Sequence, residues 1–396
     1  MNEQQYVVNG FKAAAVNAGL KKGDGPDLAL IFSEMPATAA GVFTTNRVKA
    51  APVLLSMRHM KRGKAQAIVA NAGNANACTG TRGLNDAEKT AAAVAGAVGV
   101  DPEAVLVAST GVIGAPLDID AIQAVIPGLA GALSEAGIPD AARAIMTTDS
   151  FPKLSAFDGQ AGGVSYRVVG LAKGAGMIMP HMATMLCFIM SDVVMDAGQL
   201  TDMVTSCTET TFNRITVDGD TSTNDMVLMM ANGSAGNDPL TPSDAESFRG
   251  GLAGVMGDLA RMIVKDGEGA TKVVDVKVQN ARSPRDASKA VRTVANSNLV
   301  KTAFYGQDPN WGRIMGALGR AGIDMVESQV DIRIDDIQIV SKGLGVGAEA
   351  EKEASKIMMG GEFDLTIDLH QGPYHDHILT CDLTHAYVSI NADYRS

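Results

Sequence analysis

Apolar and polar positions follow two regimes along this chain. Through about residue 264, short apolar runs that suit buried strands take turns with stretches of helical period. Ala65-Gln-Ala-Ile-Val-Ala70 reads as a strand, and the small polar residues Asn71-Ala-Gly-Asn-Ala-Asn76 after it read as a loop. Residues 86–98 are Ala-rich with Glu88 and Lys89 in the first turns, which predicts a helix. Ala104-Val-Leu-Val-Ala108 predicts a strand, Ser109-Thr-Gly-Val-Ile-Gly114 a strand-to-helix turn, and residues 119–133 a helix. Residues 184–191 and 225–231 predict two more strands, followed by helices near 200–213 and 244–264. In the last third the period changes to two. Residues 329–334, 338–341, 363–369 and 387–390 alternate apolar and polar side chains, as half-buried antiparallel strands do. No repeat or low-complexity linker interrupts the pattern. The expected class is α/β (α+β), with helix layers covering stacked sheets.

Composition sharpens this picture at a few points. The 396 residues are too many for a typical single domain, so one large or two intimately packed domains are expected. The chain is 46% hydrophobic but 4% aromatic and holds 43 glycines, so aliphatic and small residues must fill the core. Net charge is −11 and the longest basic stretch is Met60-Lys-Arg-Gly-Lys64, which argues against nucleic acid or an anionic membrane as partner. Cys78, Cys187, Cys207 and Cys381 form no CxxC pair, which suits a reducing cytoplasm better than a disulfide framework or a zinc ribbon. Neither a secretory signal nor a membrane-spanning stretch is read, so the expectation is a cytoplasmic protein.

The segment richest in chemistry is Lys173-Gly-Ala-Gly-Met-Ile-Met-Pro-His-Met-Ala-Thr-Met-Leu186, where Thr184 opens an apolar run after a Gly- and Pro-rich loop. Breaking the Ala183–Thr184 bond would give Thr184 a free α-amine beside its hydroxyl, a nucleophile and base in one residue. That amine, with an unperturbed pKa of about 7.7–8.0, can take the hydroxyl proton near neutral pH. Attack on a carbonyl then needs preplaced donors for the oxyanion. Thr110 and Gly111 are candidates by sequence, although the same residues also suit a plain turn. Lys173 offers a cation for a substrate carboxylate, and Glu268, in Lys265-Asp-Gly-Glu-Gly-Ala-Thr-Lys272, a carboxylate for an amino group. Each also suits an ordinary loop residue.

Two other constellations compete. His370, His375 and His377 with Asp376 suggest a metal site, but their spacing matches no zinc pattern, so no metal is expected. Asp218-Gly-Asp-Thr-Ser-Thr-Asn-Asp225 is rich in oxygen ligands but lacks the twelfth-position acid of an EF-hand. It reads as a tight polar loop feeding the next strand.

Several segments together resemble the ornithine acetyltransferase family, also called glutamate N-acetyltransferase, of the acetyl-recycling arginine pathway. They are Gly10-Phe-Lys-Ala-Ala14, Phe43-Thr-Thr-Asn-Arg47, residues 71–76 and 109–114, Thr147-Thr-Asp149, Met182-Ala-Thr-Met-Leu186, Asp308-Pro-Asn-Trp-Gly-Arg313 and Asn391-Ala-Asp-Tyr-Arg-Ser396. The resemblance implies a layered α/β/β/α sandwich and self-cleavage between Ala183 and Thr184. The products would be an α chain of residues 1–183 and a β chain of residues 184–396, intertwined as one catalytic unit and assembled as an α2β2 heterotetramer. It further implies a ping-pong transfer of acetyl from N2-acetylornithine to glutamate through acetyl-Thr184, with no cofactor. By the same resemblance, Thr110 and Gly111 form the oxyanion hole. Thr147 or Thr148, Lys173, Thr184, Glu268, Asn391 and Ser396 line the substrate site. Whether acetyl-CoA serves as a second donor stays open. Ala175 departs from the serine common in relatives, and Met179 and His181 flank Pro180. From the residues alone, an N-terminal-nucleophile amidohydrolase or aminopeptidase, and an uncleaved scaffold protein, remain alternatives.

Overall fold

The computed structural model describes residues 3–179 and 185–393. They form two compact units, one from residues 3–179, 185–213 and 220–263, the other from 214–219 and 264–393. The class is the expected mixed α/β one, with two mixed sheets and eleven α-helices among the described residues.

The first unit is built on eight strands: β1 (Phe11–Val16), β2 (Leu28–Phe43), β3 (Lys64–Asn74), β4 (Val105–Val112), β5 (Lys153–Ala161), β6 (Val164–Lys173), β7 (Leu186–Ser191) and β8 (Met226–Ala231). Their order is β4-β3-β2-β8-β7-β6-β5, with β1 paired to β2. The pairs β3–β4 and β7–β8 are parallel and the others antiparallel. β7 and β8 are apolar but for Ser191 and wholly buried, because they lie mid-sheet with both faces covered. In β2 the alternation sends Leu28 and Leu30 to one face, and Ala29 and Ile31 to the other. The first pair packs with Leu55 of α1 (Ala51–Met60), Val94 of α2 (Gly80–Val98) and Ile122 of α3 (Ile119–Gly131). The second pair packs with Ile138 and Ala141 of α4 (Ile138–Ala144). β2 is interrupted by a register shift between Phe32 and Ala37, where Pro36, which has no N–H to give a ladder, is accommodated. The helices α5 (Ala197–Thr210) and α6 (Pro242–Lys265) follow β7 and β8 in the chain.

The second unit has six strands: β9 (Val273–Ala281), β10 (Asp331–Ile334), β11 (Ile337–Ser341), β12 (Leu344–Gly345), β13 (Glu362–Asp368) and β14 (Tyr374–Cys381). They are ordered β12-β11-β10-β13-β9-β14, and only the β13–β9 pair is parallel. Period-two burial in β13 puts Phe363, Leu365 and Ile367 into one core. The same core takes residues from α7 (Pro284–Ala295), α8 (Asn298–Tyr305), α9 (Trp311–Gly319) and α10 (Ala348–Met358). α7 starts where the Ser283 side chain accepts from the Asp286 N–H, and its buried face carries Ala287, Ala290, Val291 and Val294.

Three local expectations are corrected. Residues 71–76 are not all loop, since β3 runs to Asn74. Residues 109–112 continue β4 instead of turning, because Asn71 to Gly73 offer them a parallel ladder. Residues 387–390 lie in α11 (His385–Asp393) rather than in a strand. Four alternating residues do not separate the two periods, whereas Thr384 decides the matter: its Oγ1 accepts from Tyr387 N at 3.3 Å, capping the first turn. The strand expected over 184–191 begins at Leu186 among the described residues, and Thr184 lies outside them. Both residues of the expected division at Ala183–Thr184 lie outside the described ones. No helix among the described residues is long and apolar enough to cross a membrane.

Candidate active site

Lys173 is the last residue of β6 and is buried, not a surface-loop lysine. Its Nζ donates to Thr147 Oγ1 at 2.7 Å and to Thr110 Oγ1 at 3.3 Å. Thr147 and Thr148 are both half-buried, and it is Thr147 whose hydroxyl accepts from the ammonium. The Asp149 carboxylate lies 3.8 Å from the same Nζ and receives Lys153 Nζ at 2.7 Å. It also accepts the backbone N–H groups of Thr147 (3.0 Å) and Gly174 (2.7 Å). Burial works to raise the Asp149 carboxyl, but the charges of Lys173 and Lys153 overcome it and hold the group well below the usual carboxylate range. One carboxylate thus serves two buried ammonium groups, and the trio of Lys153, Lys173 and Asp149 sums to +1. An anionic group entering here meets a positive potential in a site largely shielded from water.

Gly111 sits in β4 with φ +130°, which L side chains rarely adopt. A Cβ there would lie 2.3 Å from the Gly73 carbonyl carbon and 2.6 Å from Asn74 N. The glycine is therefore needed for the close approach of β3 and β4, not for a turn. The β3–β4 register shifts at Gly73–Asn74, so the ladder is irregular beside Thr110 and Gly111. Next to Thr147, the Lys21 ammonium donates to Ala144 O (3.1 Å) and Met146 O (3.0 Å), closing the C-terminal end of α4. Burial lowers the Lys21 pKa, against the pull of Asp27 and Asp149.

Asp225, just before β8, is wholly enclosed, and burial pushes its carboxyl well above the ordinary range. It accepts the backbone N–H of Met185, the residue that follows Thr184 in the chain. One of its oxygens has no hydrogen-bond partner among the described residues.

In the second unit, Glu268 lies in the loop after α6 and is buried, and its Oε2 accepts from Asn391 Nδ2 at 2.7 Å. Asn391, on α11, also donates to Tyr387 O at 3.0 Å. The loop is fastened by Asp382, which accepts from Thr271 N (2.8 Å) and Lys272 N (3.0 Å), and by Thr384 Oγ1, which donates to Gly269 O at 2.8 Å. Among the expected residues, then, the first unit joins Lys173, Thr110 and Thr147 beside Gly111, and the second joins Glu268 and Asn391. Ala183, Thr184 and Ser396 lie outside the described residues, as do Pro180 and His181. Ala175 is fully buried.

The histidines do not converge. His370 pairs with Asp331 (3.1 Å), His377 with Asp275 (3.2 Å), and Asp376 with Arg214, while His375 is exposed. No group of three or more His, Cys, Asp or Glu among the described residues is arranged to hold a metal. In the polar loop before β8, Ser222 Oγ accepts from Asn224 N at 3.1 Å, the local turn bonding expected of it. Sequence reasoning passed over Asp149, Lys153, Lys21 and Asn224 as individual residues. Asp149 stood in the quoted Thr147-Thr-Asp149, where a carboxylate between hydroxyls and a lysine-bearing strand was the available signal.

A mixed α/β protein whose first unit holds a buried lysine–hydroxyl–carboxylate cluster is suited to binding a small anionic group there. The chain belongs to the ArgJ family, whose model matches residues 12–396. It is 50% identical over 391 residues to the arginine biosynthesis bifunctional protein ArgJ of Geobacter sulfurreducens, covering 98% of this chain and 100% of that protein. It is 49% identical over 392 residues to the protein of the same description from Syntrophotalea carbinolica, covering 98% and 99%. Among solved structures, it is similar to the arginine biosynthesis bifunctional protein ArgJ of Bacillus halodurans, at 42% identity and a TM-score of 0.49 over 51% of this chain and 96% of that one. It is also similar to the ornithine acetyltransferase of Mycobacterium tuberculosis, complexed with ornithine, at 39% identity and a TM-score of 0.40 over 46% and 96%.

Proposed function

We propose that this chain is an acetyltransferase of arginine biosynthesis that moves acetyl from N2-acetylornithine to glutamate through an acetyl-Thr184 ester. Cleavage between Ala183 and Thr184 frees the α-amine, which takes the Thr184 hydroxyl proton as the oxygen attacks the acetyl carbonyl. The tetrahedral oxyanion is held by Thr110 and Gly111, and ornithine leaves as the ester forms. Glutamate then resolves the ester through its amine. Lys173 and Thr147 bind the carboxylate of donor and acceptor in turn, while Glu268, Asn391 and Ser396 take their polar groups. The enzyme is cytoplasmic and works as α2β2, with no cofactor.

The observation that carries the reading is the Lys173 ammonium, bonded at once to the hydroxyls of Thr110 and Thr147 in a chain of this family. A hydroxyl that accepts from an ammonium is a stronger donor to a developing oxyanion. The test is the intact mass of the denatured protein before and after brief exposure to N2-acetylornithine. Two fragments divided at Thr184, with one acetyl on the larger-numbered fragment, are expected, and Thr184→Ala protein should show neither. A single uncut chain that gains no acetyl would overturn the proposal.

A further inference from the structure

We propose that Asn224 is a positioning residue of this site, holding the strand ends that carry Thr110 and Gly111 in working geometry. The inference rests on the reading of Thr110 and Gly111 as the oxyanion hole.

Asn224 is buried, and both hydrogens of its side-chain amide are used on backbone carbonyls. Nδ2 donates to Ala75 O at 2.6 Å and to Ser109 O at 2.8 Å. Its Oδ1 accepts from Thr223 Oγ1 at 2.6 Å, which fixes which end of the amide faces the carbonyls. The Ser109 carbonyl belongs to the peptide that contains the Thr110 N–H. Because that peptide is planar, pinning its oxygen fixes the Thr110 N–H and the origin of the Thr110 side chain. Ala75 lies one residue beyond the end of β3, next to the register shift that brings Gly73 against Gly111. One amide thus bridges the ends of β3 and β4 where their own ladder is irregular.

The strength of this bridge comes from where Asn224 is anchored. It stands two residues before β8, and Met226 of β8 pairs with Leu186 of β7 while its N–H donates to Met185 O at 3.1 Å. β7 begins two residues after Thr184 in the sequence. The rigid β7–β8 pair and the β3–β4 ends are separated in the sheet by β2. Asn224 therefore ties the β3–β4 ends, which carry Thr110 and Gly111, to the start of β8 and through it to β7. Ser109 and Asn71 support the same place from within: Ser109 Oγ donates to Asn71 Oδ1 at 2.6 Å, and Asn71 Nδ2 to Asn74 O at 2.9 Å. No residue but an amide of this length fits the role. Aspartate and leucine share the branched shape but offer neither of the two N–H donors.

The experiment measures kcat, KM and single-turnover acetylation for Asn224→Asp, Thr110→Ala and the double variant, each checked by intact mass for the same degree of processing. Misplacement of about 1 Å is expected to cost about 100-fold in kcat. KM should stay within about three-fold, because Asn224 touches no substrate. If Asn224 acts through Thr110, the double variant is scarcely slower than Thr110→Ala alone. Losses that multiply, or a change in KM with kcat intact, would overturn the proposal. Should Asn224→Asp fail to fold, Thr223→Val leaves the amide but loosens its orientation. It should then lower kcat with KM unchanged, and wild-type kcat would count against the idea. Wild-type protein that takes no acetyl would sink the functional reading instead, whatever Asn224 does.

Discussion

At the scale of single residues, the site is governed by two buried aspartates whose electrostatics run in opposite directions. Asp149 is held charged by Lys173 and Lys153, so its pKa in the folded protein lies below the ordinary 3.8. The unfolded chain binds its proton first as pH falls. The stability it contributes is thus fully present above about pH 4 and is lost below it. Asp225 is the reverse. Burial raises its pKa in the fold, so the folded state holds a proton that the unfolded chain has released, and stability declines as pH climbs above the ordinary carboxylate range. Asp149→Asn should destabilise by about 3–5 kcal/mol at neutral pH, because it strands buried ammonium groups, and should weaken the acid limb of unfolding. Asp225→Asn should be close to neutral at low pH and stabilising at high pH. Urea titrations from about pH 2 to 9 measure both, and parallel pH profiles for the two variants would refute this assignment.

At the scale of elements, the second-unit pair depends on one capping threonine. Thr384 Oγ1 accepts from Tyr387 N to start α11 and donates to Gly269 O, so the same hydroxyl begins the helix of Asn391 and fastens the loop of Glu268. Gly269, with φ +68°, lets the loop come this near, since a Cβ would sit 2.7 Å from Tyr387 N. Thr384→Ala removes the cap and should cost about 1–2 kcal/mol. In the proposed function it should also raise KM several-fold, because Glu268 and Asn391 lose their common support. A thermal shift with unchanged KM would show that this pair is not used for substrate. The same threonine marks where pattern reading failed: Tyr387-Val-Ser-Ile390 alternates over too short a span, and the cap, not the alternation, decides.

At the scale of the whole chain, the proposed cut would separate neighbours in one sheet. Strands β1–β6 precede residue 183 and β7 and β8 follow residue 184, yet β8 and β7 lie between β2 and β6. Six residue pairs join β6 to β7, from Val168–Ser191 to Lys173–Leu186. Fragments 1–183 and 184–396 should therefore stay together in native chromatography and part only on denaturation. Separation under native conditions would contradict the proposed processing. This interleaving could not be read locally, since a strand's apolar run announces burial but not its neighbours.

The sequence alone was enough for the mixed α/β class, for most of the strands and helices it singled out, and for the likeness that named Lys173, Thr110, Gly111, Glu268 and Asn391. Periodicity and turn residues act over a few positions, and so they are legible without a fold. Only the tertiary structure decided that Lys173 is buried between two hydroxyls, that Asp149 serves two lysines, and that Gly111 is required by Gly73 across the ladder. It likewise placed Asn224 against carbonyls 115 and 149 residues away in the chain. Those facts are contacts between distant segments, and their energies depend on burial and on a partner's distance, which strand order and register set.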